Sequence, residues 1–431
     1  MPRILPLALA LLPCAWAQAP PGAEPLRLTL PDALARAQKY SQQTFNANIE
    51  ALLAREDTVQ ARAALLPSVN GVSQYIYTQG NDTPSGIFVP NDGVHVYYDY
   101  VTTHADLYAP AKRADYRRAI AAEAAARARA DVAARGLIGT VAQDYYGMAV
   151  AARKLRNADL AVRDAQEFLD ITQKLERGGE AAHADTVKAH LQLNDRMRDR
   201  QEAQLALDKA RIGFAVLLFP DYQTNFTVAD DLDTLPALPE YREIQTLAGK
   251  NSPDIRAAQA TVTAQTFELR SAKADRLPTV SGDYFFGIEA NEFALHNERG
   301  QNNLGSSAQV QLNLPIWTWG AARSRVKVAE YKLRQAKNDL SYTQRNLLSE
   351  LESFYREASM ARDQLTLLQE SVGLAADSLR LTMLRYQAGE ASVLDVVDAQ
   401  TSARDARNAF DDGLARYRIA IGNLQTLTGA F

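Results

Sequence analysis

Residues 306–320 read SSAQVQLNLPIWTWG, and the fold follows from how this stretch begins and ends. Ala308, Val310, Leu312, Leu314 and Ile316 are apolar, while Ser307, Gln309, Gln311 and Asn313 between them are polar. One greasy and one wet face, alternating at a period of two, is what a strand of a membrane β-barrel needs. Pro315, Trp317 and Trp319 close the strand at about residue 316, the tryptophans being of the type that sits at a membrane–water interface. From Gly320 the period changes. Apolar residues from Val326 through Leu351 and Leu365 to Tyr386 follow one another in steps of three or four, broken only at Thr343. The mean step is about 3.5 residues, the value of a coiled coil rather than of a free helix. At 1.5 Å per residue, a helix over 320–388 is a rod on the order of 100 Å long. Gln387-Ala388-Gly389 stops it, and a return helix over 392–428 starts at Ser392. One segment therefore runs from a membrane strand into a very long helix and turns back.

Working outward, the first residues of the 431-residue chain read as an export signal over 1–17: Arg3, an apolar run from Ile4 to Leu12, and Ala15-Trp16-Ala17 as a cleavage site. Cys14 stands where a lipidated cysteine could, but Pro13 before it is a poor fit for lipoprotein processing. Cleavage removes the only cysteine, so the mature chain has no disulfide framework and no thiol chemistry. No apolar run of 18 or more follows, which excludes a helical membrane span and leaves a closed barrel as the way into lipid. A net charge of −4 without a long basic block excludes nucleic acid as a partner.

The first half reads as a helix from Pro31 to about Leu65, a strand over 68–79, a polar loop over 80–93 and a strand over 94–109. A long Ala-rich helix over 111–177, a break at Gly178-Gly179 and a return helix over 183–218 follow. A polar connector spans 219–240, and then the plan repeats. Residues 31–69 align with 242–280 without a gap: Leu66-Pro67-Ser68-Val69 falls on Leu277-Pro278-Thr279-Val280, and Gly179-Glu180-Ala181 on Gly389-Glu390-Ala391. Self-similarity of this length implies two copies of one unit, 18–218 and 241–431. The second copy has its own strand pair over 279–288 and 306–316. A proline stands at each of four strand–helix junctions, Pro67, Pro110, Pro278 and Pro315. Proline punctuates elements everywhere, but four at equivalent places favour a shared role: passage between strand and helix with no loop between.

The fold class is thus mainly α, a long coiled-coil α-helical part with four β-strands per chain. Four strands cannot close a barrel, and an open edge is not tolerated in lipid. The smallest closed bacterial barrels have eight strands. Cyclic copies are needed, two for eight strands or three for twelve; the pattern itself leaves the number open.

Here the chain resembles the TolC-type outer-membrane efflux channel family. The resemblance spans essentially the whole mature chain. It rests on Leu28-Thr-Leu-Pro-Asp-Ala-Leu, the Leu-Pro-x-Val steps at 66–69 and 277–280, and Leu314-Pro-Ile-Trp-Thr-Trp-Gly-Ala-Ala-Arg323. The most specific segment is Tyr386-Gln-Ala-Gly-Glu-Ala-Ser-Val-Leu-Asp-Val-Val-Asp-Ala399. The resemblance implies a homotrimer in the bacterial outer membrane with a shared twelve-stranded barrel and a helical tunnel across the periplasm. It further implies a periplasmic adaptor (membrane fusion) protein and an inner-membrane pump as partners, and passage of drugs or secreted proteins. Residues 219–240, with the termini, would form the equatorial belt such channels carry.

Asp395 and Asp398 stand three apart on one helix face. In a symmetric tube they would stack as carboxylate rings that favour cations; locally, Ser392-Val-Leu-Asp395 also fits a capping box. The family's motif places both aspartates at the periplasmic constriction. It also marks Tyr386 and Asp185 as members of the hydrogen-bond set that ties neighbouring helix pairs shut. Where the family's archetype has an arginine two residues after the motif's glycine, this chain has Ala391, which leaves that latch incomplete. Gly179 and Gly389 are the hairpin tips expected to meet the adaptor, and also the residues a tight turn permits.

The five histidines, His95, His104, His183, His190 and His296, show no ligand spacing, and His183 and His190 read as solvated. Neither HExxH, GxSxG nor a phosphate loop occurs. The sequence therefore predicts no enzyme, no metal and no cofactor. The competing readings are a barrel-anchored trimeric coiled-coil surface protein and a soluble periplasmic adaptor. The first leaves unexplained why each of two repeats carries both two strands and a hairpin. The second has no need of the alternating strand at 307–316.

Overall fold

The computed structural model describes residues 25–77 and 95–429. The expected signal at 1–17, the polar loop at 80–93 and the strand ends at 78–79 and 94 lie outside the described residues.

In chain order the elements are β1 (Leu26–Leu28), α1 (Leu30–Tyr40), α2 (Gln42–Ala63), β2 (Ser68–Tyr77), β3 (His95–Tyr108), α3 (Pro110–Gly178) and α4 (His183–Leu218). They continue with β4 (Phe226–Val228), α5 (Tyr241–Asn251), α6 (Pro253–Ala274), β5 (Thr279–Ala290), β6 (Leu304–Asn313), α7 (Ala321–Gln387) and α8 (Val393–Thr428). The two rods α3 and α7 have 69 and 67 residues, each about 100 Å at 1.5 Å rise. Each turns into a 36-residue return helix. No helix among the described residues is long and apolar enough to cross a membrane.

Four strands form one antiparallel sheet in the order β2-β3-β5-β6. The register pairs Tyr100 with Val72 on one side and with Gly287 on the other, and Phe285 with Ser307. Because side chains alternate across a strand, this register sorts the sheet into two faces. Asn70, Thr102, His104, Asp283, Gln309 and Gln311 share one; Val101, Leu107, Tyr284, Phe286, Val310 and Leu312 share the other and are exposed or half-buried. Among the described residues this apolar set lies open at the surface of the sheet. The central β3–β5 pairing joins the two halves, leaving β2 and β6 as edges.

The structure corrects two expectations. The single helix expected up to Leu65 is broken at Ser41, whose ψ of 119° ends α1 while its hydroxyl accepts the Thr44 N–H at 3.4 Å to start α2. Ser252 does the same between α5 and α6, accepting from Ile255 at 3.3 Å, with Pro253 unable to continue the helix before it. The four junction prolines are also not equivalent. Pro110 begins α3 directly after β3, whereas Pro67 and Pro278 close tight turns ahead of β2 and β5. Pro315 stands in an irregular segment over 314–320, where Trp319 (φ 51°) and Gly320 (φ 84°) turn the chain into α7. Passage without a loop holds at Pro110 alone. Ile316, Trp317 and Trp319 in that segment are 87, 73 and 89% exposed.

The main core lies where α3, α7 and α8 meet α1, α5 and the connector, built on Tyr145, Phe214, Phe226, Leu232, Leu351 and Tyr417. β4 in the connector pairs in parallel with β1. Tyr145 Oη donates to the Ala229 carbonyl and Tyr417 Oη to that of Pro236, both at 2.6 Å. Arg153 on α3 gathers Asp230, Asp233 and Asp411 at 2.7–3.1 Å, binding the connector to α3 and α8 at once. Arg418 holds Asp231. Burial pushes the Tyr145 phenol far up, with Asp231 adding to the shift.

Candidate functional site at the hairpin tips

At both tips the helix ends in left-handed backbone, at Gly179 (φ 79°) and Gly389 (φ 75°). Glycine takes this conformation without the Cβ clash other residues meet. The Gly179 N–H donates to the Glu176 carbonyl at 2.9 Å and the Gly389 N–H to Tyr386 at 3.0 Å, so orphan carbonyls of each helix end are satisfied. Glu176 also holds the first tip from the side, accepting from Thr186 Oγ1 at 2.5 Å and lying 2.8 Å from His183 Nδ1. These bonds depress the Glu176 carboxyl below its ordinary range, the Thr186 bond most. His183, expected to be simply solvated, is exposed and at the same time a partner of Glu176.

At the second tip Asp395 closes a capping box: its carboxylate accepts the Ser392 N–H and hydroxyl, both at 2.8 Å, while Ser392 Oγ accepts the Asp395 N–H at 3.3 Å. The backbone bond from Ser392 is the chief reason its carboxyl is held below the usual range; the Arg385 charge helps. Asp398 stands one turn further along α8, and both carboxylates are exposed. The local capping role and a role in facing an aperture are compatible, since one carboxylate has lone pairs for both.

Tyr386 is 6% exposed and sits in a second core with Phe168, Leu169, Ala189, Leu193, Val393 and Val396, which packs the two tips together. Its ring meets Phe168 edge-on at 5.1 Å, and its hydroxyl donates to Thr172 Oγ1 at 3.2 Å. The bond therefore runs from α7 to α3, and Thr172, rather than Asp185, is the acceptor in this chain. Asp185, half-buried in the first turn of α4, acts on Tyr386 through space: burial raises the phenol and the Asp185 charge raises it further. At the position of the missing arginine, Ala391 is partly buried against the same core. The Arg385 guanidinium reaches this tip, its Nη2 donating to the Glu390 carbonyl at 3.2 Å.

Higher on the same hairpins Arg196 is buried and donates to Thr401 Oγ1 at 2.7 Å and to Asp199 at 3.1 Å, while Arg404 reaches Asp199 at 2.7 Å. This ties α4 to α8. Sequence reading missed Thr172, Arg196, Asp199, Thr401 and Arg404. On a coiled-coil helix such residues look like solvated surface, and only their partners distinguish them.

The profile of the outer membrane efflux protein family matches residues 33–218 and again 245–430. The chain belongs to the outer membrane efflux protein family. The two matched stretches each contain two strands of the sheet and one helical hairpin. Among this family member's relatives is the proteases secretion protein PrtF of Dickeya chrysanthemi, 22% identical over 92% of this chain and 87% of that protein. Another is the outer membrane protein TolC of Vibrio cholerae, 22% identical over 91% and 89%. The solved structure of the Vibrio cholerae outer membrane protein VceC superposes with a TM-score of 0.82 at 18% identity, over 93% of this chain and 96% of that one. The family's proteins are outer-membrane exit ducts for efflux and type I secretion, extending into the periplasm. The chain is accordingly such a duct component. Among the described residues no group of His, Cys, Asp or Glu is placed to hold a metal ion.

Proposed function

We propose that three copies of this chain close a twelve-stranded barrel, and that the duct so formed is gated at the Asp395 and Asp398 carboxylates. The observation that carries this reading is the sheet β2-β3-β5-β6, with a polar and an apolar face and edges at β2 and β6. Buried in lipid, those edges need partners, and a neighbouring copy supplies them with the same register chemistry. The apolar face then meets outer-membrane lipid and the polar face lines the lumen.

At the other end, α3–α4 and α7–α8 converge at tips whose glycines and exposed carboxylates face the periplasm. The Tyr386–Thr172 bond and the core around Phe168 hold the two hairpins of one chain together, and Arg385 supplies the positive charge that Ala391 does not. Asp395 and Asp398, repeated around the axis, form stacked acidic rings. The tips at Gly179 and Gly389 dock a periplasmic adaptor protein, which links the duct to an inner-membrane pump. Small toxic molecules or secreted proteins leave by this path.

Planar-bilayer recording of the purified protein tests the gate. The wild type gives discrete, cation-favouring conductance, and Asp395→Ala with Asp398→Ala reduces the cation preference at least severalfold. Unchanged selectivity in the double variant removes the carboxylates from the gate. A compact monomer that never inserts into lipid overturns the duct itself.

A further inference from the structure

On the polar face of the sheet, Tyr98, Tyr100 and Phe285 form an aromatic cluster among hydroxyls and amides. Tyr98 and Tyr100 meet at 6.3 Å with an interplanar angle of 90°, and Tyr100 meets Phe285 at 5.6 Å and 83°. Beside them the register sets Gly287 against Gly305. Two glycines side by side leave a bare backbone floor, and the cluster walls a concavity of about 370 Å³ that Glu289 and Ser307 also line. Gly287 cannot carry a side chain: an added Cβ would lie 2.4 Å from the Tyr100 Cα and Cβ. The Tyr100 Cα and Cβ therefore lie against bare backbone, and its ring is flanked by those of Tyr98 and Phe285.

The charge of this wall is one-sided. β2, β3, β5 and β6 contain no Lys or Arg, while Asp106, Asp283 and Glu289 stand on the polar face. His104 lies 2.6 Å from Asp283, and Lys112 from α3 pairs with Asp106, so both carboxylates nearest the helices have partners within the chain. Glu289 sits at the other end of the wall, opposite Tyr98 in the register. Tyr100 stands roughly 30 Å along the strand from Pro110 at ~3.3 Å per residue, toward the exterior.

We infer that this concavity is an exit subsite for planar organic cations, repeated around the barrel as an aromatic collar on the extracellular side. The inference rests on the duct reading, which puts the polar face in the lumen. Ring faces attract a cation that has shed part of its water, the bare floor accepts a flat ring, and Glu289 supplies the counter-charge. A strand wall without basic residues has no matching device for organic anions.

The test records single channels of the full-length protein in planar bilayers, with blockers added from the extracellular side. Benzyltrimethylammonium should block at concentrations about tenfold below tetramethylammonium, and benzenesulfonate should not block in that range. Tyr100→Leu with Phe285→Leu should bring the aromatic cation to the level of tetramethylammonium. Because Tyr100 packs on Gly287, Tyr98→Leu with Glu289→Gln serves as a second pair that leaves that contact intact, and it should weaken block severalfold. The same ordering is expected in an Asp395→Ala, Asp398→Ala background, which separates the collar from the tip carboxylates. Equal block by both ammonium ions, or block undiminished in both variant pairs, overturns the collar while leaving a conducting duct. A protein that forms no channel overturns the duct reading and the collar with it.

Discussion

Replacing Arg153 by Ala is the most informative single change available, because one side chain holds three segments. Its guanidinium is 11% exposed and bonds Asp230 and Asp233 of the connector and Asp411 of α8, whose own side chain is 10% exposed. Removing one partner of a buried ion pair costs about 3–5 kcal/mol, because the remaining charge is left desolvated. Here the lower end applies. Asp411 keeps the amide of Asn157 at 2.9 Å and Asp230 keeps Arg156 at 2.7 Å, so neither is left wholly alone. About 3 kcal/mol corresponds to roughly two orders of magnitude in the equilibrium for connector opening, at ~1.4 kcal/mol per tenfold. The connector over 219–240 contains no Lys or Arg, so trypsin is blind to it and chymotrypsin is the suitable probe. Cleavage after Leu232, fully buried in the native protein, reports the opened population when reclosing is faster than cutting. Arg153→Ala should raise that rate about a hundredfold at pH 7. Arg153→Met combined with Asp411→Leu, which replaces the buried pair by apolar groups, should return it to within about tenfold of wild type. The acid side gives an independent check. Burial pushes Asp230 up, but the bonds from Arg153 and Arg156 prevail and hold it below the ordinary carboxylate range. A carboxyl with a depressed native pKa stabilises fully above its unfolded value near ~3.9 and loses that contribution as pH falls through the native one. Wild-type opening, read by amide hydrogen exchange around Leu232 because chymotrypsin loses activity in acid, should therefore rise only below about pH 4. The acid-induced rise should be smaller in the variant, which has lost the Arg153 bonds that depress Asp230. A single variant cleaved within threefold of wild type at pH 7 would refute the clamp.

Tyr386→Phe removes the bond to Thr172 but keeps the ring on Phe168, for a loss of about 0.5–1.5 kcal/mol, whereas Tyr386→Ala loses about 3–5 kcal/mol; single-channel open probability should rise slightly in the first and strongly in the second. Gly287→Ala drives a methyl to 2.4 Å from Tyr100 Cα and should abolish the heat-resistant assembled band on gels, while Gly305→Ala, with open space around it, should leave that band intact. Because the capping bonds from Ser392 depress Asp395, the cap should hold above the ordinary carboxylate range and be lost as pH falls through the lowered value. Hydrogen exchange at the first turn of α8 reads this directly, and Asp395→Asn should remove the pH dependence.

Much of this molecule is written locally. Alternation over 307–313 forces a strand with a wet and a greasy face, and apolar steps of about 3.5 residues make rods that must lie against other rods. Gly179 and Gly389 mark the tips because few other residues turn left-handed there without strain. The repeat itself is visible as aligned residues, and Asp395 declares its cap through Ser392 three positions earlier. What no local pattern contains is the identity of distant partners. Arg153 finds Asp411 across 258 positions, Tyr386 finds Thr172 across 214, and β3, besides pairing with β2 of its own half, joins β5 of the other. Charged and hydroxyl side chains carry no mark of their future burial, since their exposure is set by what packs over them. The break at Ser41 is of the same kind: its hydroxyl can serve a helix interior or a cap, and packing of α1 against α3 and α4 selects the cap. Periodicity alone thus supplied strand, rod and turn, whereas three-dimensional packing decided which strands, rods and charges meet.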